Sequence, residues 1–582
     1  MEQTERLKKI HLQALKDFKE AWEYDAINRE NSKEDLRFVY NIDEGQWDEQ
    51  IKEDRAKRPT IVINKLRKFV AQVANQERIN KIRIKVKPVD SDADPAIAEK
   101  LEGLIRNIEY NSQADEIYAD SGEKAASSAM GYWRINTRYI EDSFSQEIFI
   151  EPIWNIYSVQ LDPFARKLDK SDGRFGFIRE AIPKTEYERL YPGVPISDFE
   201  SYSEDQRLWF DEDLVYIAEY FKVEEKEETL YLVFDPSDDS TKVVKGNTKA
   251  ELESLGLEIQ DKRKQVKKTV KWYKLSGLEV LEETTWLGKY IPIIEVIGDR
   301  VVYEGKEYKR SLITDAKDPQ NMYNYWVSNM TETVALAPKA PYLVSPEMIS
   351  GYEDQWNQAS DQNYFYLLYN AEAGVPQRVD PPNLSPGGMS MLQIADADIK
   401  DIIGWYEAGL GDRSNERSGK ALEKRKQYSA SGTFHFPDNL RRSIVYSGRQ
   451  LVDLIPHIID KPTIERIINA KGEEEEVEFN MPDETTDAIL NDLTVGRYDV
   501  ELSTGTWDSL RRQESAQQMI ELSQYAPEFG AFVADLIAKR LDWDDSDELN
   551  ERVEQYKQYL LAKLGAQGGA PATGKPQQEV VQ

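Results

Sequence analysis

Apolar and polar positions follow two periods along this chain, and each change of period marks a change of structure. The first 80 residues read mostly helical, with Arg58-Pro59 opening one helix. From Pro59 to Ile79 the apolar residues Ile63, Leu66, Phe69, Val70 and Val73 share one helical face. Lys81 to Lys87 then alternates strictly, which predicts a strand with Ile82, Ile84 and Val86 facing a core and Arg83, Lys85 and Lys87 facing water or a partner. Residues 90–125 return to a helical period.

From Tyr132 to about Thr285 the pattern is β-rich. Candidate strands are Tyr132–Tyr139, Gln146–Ile150, Phe175–Ala181, Leu214–Val223, Leu230–Phe234 and Val266–Leu275, with turns at Asp162-Pro163 and Ser171-Asp172-Gly173. The acidic pairs Glu224-Glu225 and Glu227-Glu228 read as a strand end meeting solvent.

A different texture begins at Asp318-Pro319, a capping residue followed by a first-turn proline. Met322, Tyr325, Trp326, Met330, Val334 and Ala337 hold a helical period there, a rod on the order of 28 Å long at about 1.5 Å per residue. Seven prolines between 338 and 389 forbid a continuous helix and predict a compact excursion. A second rod runs from Ser390 to about Leu410. Its apolar residues Met391, Leu392, Ala395, Ile399, Ile402, Ile403 and Tyr406 fill an arc of roughly 120°. Gln393, Asp396, Lys400 and Glu407 lie on the neighbouring arc, and Asp398 and Asp401 on the far side. Gly409 to Gly419 reads as a polar loop. Helix resumes at Lys420, kinks at Pro437 and reaches about Ile459. Strands follow at Ile464–Asn469, Glu475–Asn480 and Tyr498–Ser503. Leu510 to Leu564 reads helical, and Gly565 to Gln582 reads as a disordered tail.

Composition narrows the classes. The 582 residues hold 12 Trp, 31 Tyr and 18 Phe, enough for several cores in an α+β chain. No cysteine is present, which removes disulfides, thiolate nucleophiles and Cys-ligated zinc. The three histidines, His11, His435 and His457, have no metal-ligand spacing. No apolar run reaches membrane-spanning length, and the N-terminus lacks a signal-peptide stretch. The net charge of −31 opposes tight wrapping of a polyanion and suits a conduit better than a reader of nucleic acid, although acidity also confers plain solubility. Lys57 to Lys87 goes against this balance, with ten basic residues and one acid, Glu77. Contact with nucleic acid or an acidic neighbour is one reading of it, and a solvated face is the commoner one.

Two motifs imitate ligand sites. Gly569 to Lys575 has the spacing of a phosphate-binding loop, but Pro576 replaces the magnesium-binding hydroxyl residue, and neither a preceding strand nor a following helix is predicted. Asp542, Asp544, Ser546 and Glu548 imitate the early ligands of a calcium loop, but Asp547 stands where glycine is needed and Val553 where glutamate is needed. No catalytic site, metal site or cofactor is expected.

Several separated segments resemble the portal family of short-tailed bacteriophages. They are Lys317-Asp318-Pro319-Gln320-Asn321-Met322-Tyr323-Asn324-Tyr325-Trp326, Ala335 to Pro341, Asn415 to Ala421, Arg58-Pro59 with Asn64-Lys65-Leu66, and Gln76-Glu77-Arg78 with Val86-Lys87-Pro88. Leu161-Asp162-Pro163 with Lys170 to Gly173, and Tyr498-Asp499-Val500, also fit, and the similarity spans roughly residues 1–560. The resemblance implies a ring, usually of twelve subunits, at one capsid vertex of the virion, assembled in the host cytoplasm. Residues 1–317 and 420–503 would form an α/β wing, 318–337 and 390–410 a helical stem, 338–389 a Pro-rich clip and 504–564 a helical crown. The family's long C-terminal barrel is not expected.

The same resemblance places a channel-facing loop at 411–419. Asp396, Lys400, Glu407, Asp412 and Arg413 are then expected along the channel. Tyr342, Leu343, Trp356 and Tyr364 are candidates for the clip's partner surface, or equally for its own core. Expected partners are other copies of the chain, double-stranded viral DNA as passing cargo, the terminase motor, the tail adaptor, and the capsid and scaffolding proteins, with no membrane. Two rival classes are a nucleic-acid enzyme or motor, which the failed phosphate loop opposes, and an acidic assembly scaffold, which the aromatic content opposes.

Overall fold

The computed structural model describes residues 2–79, 82–91, 93–194, 206–209, 211, 213–235, 240–245, 252, 257–336, 341–359, 362–380, 386–404, 432–469, 472–482, 489–503, 519–520 and 522. The chain divides into two compact units, residues 1–78 with 86–501 and residues 79–85 with 502–582. Only short stretches of the second unit are described, and in them Ile84 is buried. Apart from 519–520 and 522, the expected crown lies outside the described residues, as do the tail and both imitation motifs.

The first unit opens with helices Glu2–Tyr24 (α1), Ala26–Val39 (α2) and Leu66–Ile79 (α3). Strand Arg83–Pro88 (β1) alternates as its sequence does, with Ile84 and Val86 buried and Arg83, Lys85 and Lys87 exposed. Helix Pro95–Asn111 (α4) is started by Asp94, whose side chain accepts from the Ala96 amide, with Pro95 at a position that needs no donor. Helix Ala114–Ser128 (α5) ends on Ala129 in the left-handed region (φ 70°). It turns directly into strand Met130–Tyr139 (β2), and a Cβ at Gly131 would sit 2.1 Å from the Ser121 carbonyl oxygen, so only glycine fits.

Strand Gln146–Pro152 (β3) pairs with β2, which also pairs with Ile293–Ile297 further along. A larger sheet holds Val159–Leu161 (β4), Phe175–Pro183 (β5), Leu214–Asp235 (β6), Ser240–Lys245 (β7), Glu258–Ser276 (β8) and Val280–Thr285 (β9), with β7 branching from β6. Ile293–Ile297 is β10, and Asp299–Tyr303 (β11) forms a hairpin with Lys306–Arg310 (β12). One face of the large sheet buries α1. Ala14, Leu15, Phe18 and Ala21 pack on Phe175, Phe177, Trp209, Tyr220 and Tyr273. The Phe177 and Tyr220 rings stack at 4.4 Å, and the Tyr220 hydroxyl donates to Asp17 at 2.7 Å.

The acidic pairs at 224–228 do not end a strand. β6 runs through them for 22 residues. Their charge is matched from β8, where Lys268 meets Glu225 at 3.3 Å and Lys264 meets Glu227 at 2.9 Å. Cross-strand pairing of opposite charges lets a solvated ribbon continue where burial alone would not sustain it.

The helix expected to open at Arg58-Pro59 begins at Leu66. Residues 59–65 are an extended strap, and the reason lies in helix Lys317–Leu336 (α6). The amides of Ile61, Ile63 and Lys65 donate to the side chains of Ser328 (2.9 Å), Asn324 (3.0 Å) and Gln320 (3.1 Å). Gln320 donates back to the Ile63 carbonyl at 2.8 Å, and Asn324 donates to Gln46 at 2.9 Å. Alternate residues of a strand rise about 6.6 Å and four residues of a helix about 6 Å, so the two ladders keep step. All three side chains are fully buried.

Asn324→Leu leaves the Ile63 amide and Gln46 without these partners. The expected cost is about 2–4 kcal/mol in urea unfolding, together with faster amide exchange at Ile61, Ile63 and Lys65. An unchanged midpoint would show that the ladder contributes no net stability.

A buried carboxyl gives the chain a pH dependence. Tyr118 donates to Glu109 at 3.2 Å, and burial pushes the Glu109 carboxyl up to about 8 against that bond. The folded chain keeps a proton that the unfolded chain releases near pH 4.5. Stability from this group is therefore complete below pH 4.5 and falls as pH rises to about 8. Glu109→Gln is expected to stabilise the chain by roughly 2–4 kcal/mol at pH 8 and to change little at pH 4.5. Equal effects at both pH values would contradict the assignment.

Candidate channel and partner surfaces

The second rod is helix Pro386–Ile403 (α7), and it stops short of the expected Leu410. Gly404 takes a left-handed conformation (φ 71°), a helix-ending geometry that glycine adopts at little cost. Its backbone also meets Gly432, where an added Cβ would lie 2.7 Å from the Gly404 oxygen. The chain resumes as helix His435–Ile458 (α8). Pro437 sits in its first turn, where no amide donor is required, so the expected kink is absent. Helix from Lys420 to Ser431 lies outside the described residues, as do Glu407, Asp412 and Arg413.

α6 and α7 pack side by side, with Gly388 against the Trp326 indole. The polar stripe of α6, Gln320, Asn324 and Ser328, faces the protein, while its apolar arc is left partly open, with Tyr325 42 % and Val334 53 % exposed. On α7, Ala395, Ile399 and Ile403 are buried, and the latter two join a core with Phe38, Leu66, Phe69 and Phe436. Met389, Met391, Ile394 and Ile402 remain exposed.

Asp396 lies half-buried between two ammonium groups, in a pair with Lys65 and 3.1 Å from Lys400. Burial works against its charge, yet Lys65 and Lys400 hold the carboxyl below its usual range. Its charge is therefore balanced within the chain. Arg55, itself buried, ties the strap to α6, reaching Asn329 at 2.7 Å and Glu332 at 3.3 Å. Arg58 also meets Glu332, at 3.5 Å, Arg78 meets Glu123 at 3.3 Å, and Lys87 pairs with Glu501. Four of the ten basic residues of the 57–87 stretch thus answer carboxylates of their own chain.

The Pro-rich excursion has a small core. Strands Tyr342–Leu343 (β13) and Gln377–Arg378 (β14) pair antiparallel. The Tyr342 ring stands edge-on to Trp356 at 5.2 Å, with the Arg378 guanidinium over Tyr342 at 5.5 Å. Trp356 donates its indole N–H to the Leu368 carbonyl at 2.7 Å, and Tyr364 donates to Gln358 at 3.1 Å. Of the four candidates, Tyr342 and Trp356 hold the excursion together, Tyr364 braces it, and Leu343 points out, 63 % exposed. The sequence reading missed Phe365, Tyr366 and Val375, which are more exposed than Leu343. The unbroken run Tyr364-Phe365-Tyr366-Leu367-Leu368-Tyr369 was the available signal, since so short a segment cannot bury six such side chains.

The most strongly perturbed charges lie elsewhere. Lys309 meets Glu295 at 2.6 Å and Asp25 at 3.7 Å, and the Tyr132 hydroxyl donates to Glu295 at 2.7 Å. Burial opposes both charges. Lys309 and Lys170 nevertheless keep Glu295 below its usual range, and Asp25 and Glu295 keep Lys309 well above its own. The cluster joins the α1–α2 corner to β2, β10 and β12, and its role is cohesion. Among the described residues no group of side chains could hold a metal ion, and no helix is long and apolar enough to cross a membrane.

Two paired rods, an excursion between them and a sheet-rich body, with exposed apolar side chains on the rods and the excursion, make up the described part of the first unit. Residues 15–582 match the family model of the phage P22-like portal protein, and the chain belongs to that family. A curated relative, the portal protein of Acyrthosiphon pisum secondary endosymbiont phage 1, is 25 % identical over 614 residues, covering 99 % of this chain and 84 % of the relative. The family is structural, and its role is the portal, or head-to-tail connector, of a bacteriophage virion.

Proposed function

We propose that the chain is one subunit of a closed ring at a capsid vertex, through which double-stranded DNA is packaged and later ejected. The observation that carries this reading is the flank of the two-rod stem. Tyr325 and Val334 on α6 and Met391, Ile394 and Ile402 on α7 are apolar side chains left exposed among the described residues. A contact repeated head-to-tail between identical chains buries such a flank and closes when the rotation allows, with twelve copies the expected number.

In that ring α6 and α7 are the stem, residues 338–389 the clip, and 1–317 with 420–503 the wing. Asp396 and Lys400, with Glu407, Asp412 and Arg413 beyond the stem, approach the channel. Because Lys65 and Lys400 balance Asp396, the stem wall there is close to neutral, which also suits a passage that must release its cargo.

The clip meets the terminase motor during packaging and the tail adaptor afterwards, through Leu343, Phe365 and Tyr366. Deleting residues 338–389 is expected to leave the wing folded, with unchanged circular dichroism in the strand region, and to abolish binding of motor and adaptor in pull-down. Retention of both partners by the deleted chain would overturn the clip assignment.

A further inference from the structure

Resting on the ring reading, we propose a second contact between subunits, in which an acidic hairpin of one copy enters a basic cleft of the next. The cleft, about 630 Å³, lies between the β6–β8 ribbon and the body of the first unit. Lys267 and Lys268 line it from the ribbon, Lys167 and Lys289 from the loops opposite, and Arg449 from α8, beside the ring of Tyr446. Several of these cations have partners in their own chain. Lys289 meets Asp453 at 2.8 Å, Arg449 meets Asp499 at 3.0 Å, and Lys268 meets Glu225 at 3.3 Å. Lys167 reaches only the Ser171 hydroxyl, at 3.2 Å, and neither it nor Lys267 has an ion pair among the described residues. Six cations, Lys170 included, and two carboxylates, Asp169 and Asp499, line the cleft, and that positive surplus in a chain of net charge −31 favours an anionic occupant.

The same unit carries a complementary element. Strands Thr463–Ile468 (β15) and Glu474–Phe479 (β16) form a hairpin whose inner face buries Val477 and Phe479. Its outer face sets Glu474, Glu476 and Glu478 in a row, and all three are exposed. Glu474 meets Arg466 at 3.2 Å, while no ion pair holds Glu476 or Glu478 among the described residues. Carboxylates at every second residue share one face and stand about 6.6–6.8 Å apart, so the row presents a line of negative charge. A head-to-tail ring needs two different surfaces on each chain that fit one another, and the hairpin and the cleft are such a pair.

Zero-length carbodiimide coupling, which joins an amine to a carboxylate in direct contact, tests the contact in rings assembled from equal parts of isotopically light and heavy chain. Light-to-heavy peptides linking Lys267 or Lys268 to Glu476 or Glu478 are expected. Lys267→Glu with Lys268→Glu is expected to weaken the ring at least tenfold, Glu476→Lys with Glu478→Lys likewise, and the fourfold exchange to restore most of the loss. If the ring forms but mixed links are absent, the contact is wrong and the ring reading stands. If no ring forms at all, both fall. Rings unchanged by Lys267→Glu with Lys268→Glu, but with weaker retention of DNA, would assign the cleft to nucleic acid and overturn the proposal.

Discussion

Replacing Lys309 by Met is expected to destabilise the first unit by about 3–5 kcal/mol, the usual cost of leaving a buried ion without its partner. Glu295 would then keep the Tyr132 hydroxyl and the weaker influence of Lys170, having lost the ammonium that meets it at 2.6 Å. The change should appear as a lower urea midpoint with an unchanged slope. The double replacement Lys309→Met with Glu295→Gln is expected to recover more than half of the loss, because an uncharged pair no longer needs compensation. If the single replacement were neutral, the cluster would not be the joint between the α1–α2 corner and the two sheets that its geometry describes.

A larger effect is expected at the stem. Ile394 and Ile402 are 48 % and 46 % exposed in the single chain, so carboxylates at both positions leave its fold intact. In a ring the same two positions would face a neighbour. Ile394→Glu with Ile402→Glu would bury two like charges in every contact, at several kcal/mol each, and repeat that cost around the ring. The expected result is a folded monomer with a wild-type unfolding midpoint and no assembly. Rings that persist with both carboxylates in place would move the subunit contact away from this flank.

How much of this was legible in the sequence follows from which interactions are local. Strand alternation at Arg83–Pro88 and the strand at Tyr498–Ser503 depend on neighbouring residues and stand where the sequence reading put them, whereas the first rod begins at Lys317, so that Asp318 lies in its first turn and not at its cap. The strap at 59–65 was read as helix because its helical apolar face is real. What unfolds it is a stripe of side chains more than 250 residues away, and no local period reports that. The sequence reading named only the apolar period of the first rod and was silent on Gln320, Asn324 and Ser328, which are buried because a partner backbone supplies their hydrogen bonds. The acidic pairs in β6 were placed at a strand end for a similar reason, since the lysines that match them arrive from β8.

At the candidate site, the apolar arcs of the rods were legible, but not which part each chain would cover for itself. Ile399 and Ile403 join the wing core, while Ile394 and Ile402 on the same helix stay open, a division set by the tertiary position of α2 and α3. The Pro-rich excursion divided the same way. Tyr342 and Trp356, which the sequence left equally open to a partner surface or a core, hold the core, whereas Phe365 and Tyr366 stand outside it.

The central claim is the ring, and the mass of the purified protein in solution tests it most directly. Twelve chains of 67.2 kDa give about 806 kDa, and at −31 each they carry about −372 charges. Packing of the stem flank must overcome that repulsion, which salt screens beyond roughly 8–10 Å. Light scattering coupled to size exclusion is expected to show a single species near 806 kDa whose share rises with ionic strength. An eleven- or thirteen-fold mass would correct the number and leave the account standing. A monomer or dimer at every concentration and salt would contradict it.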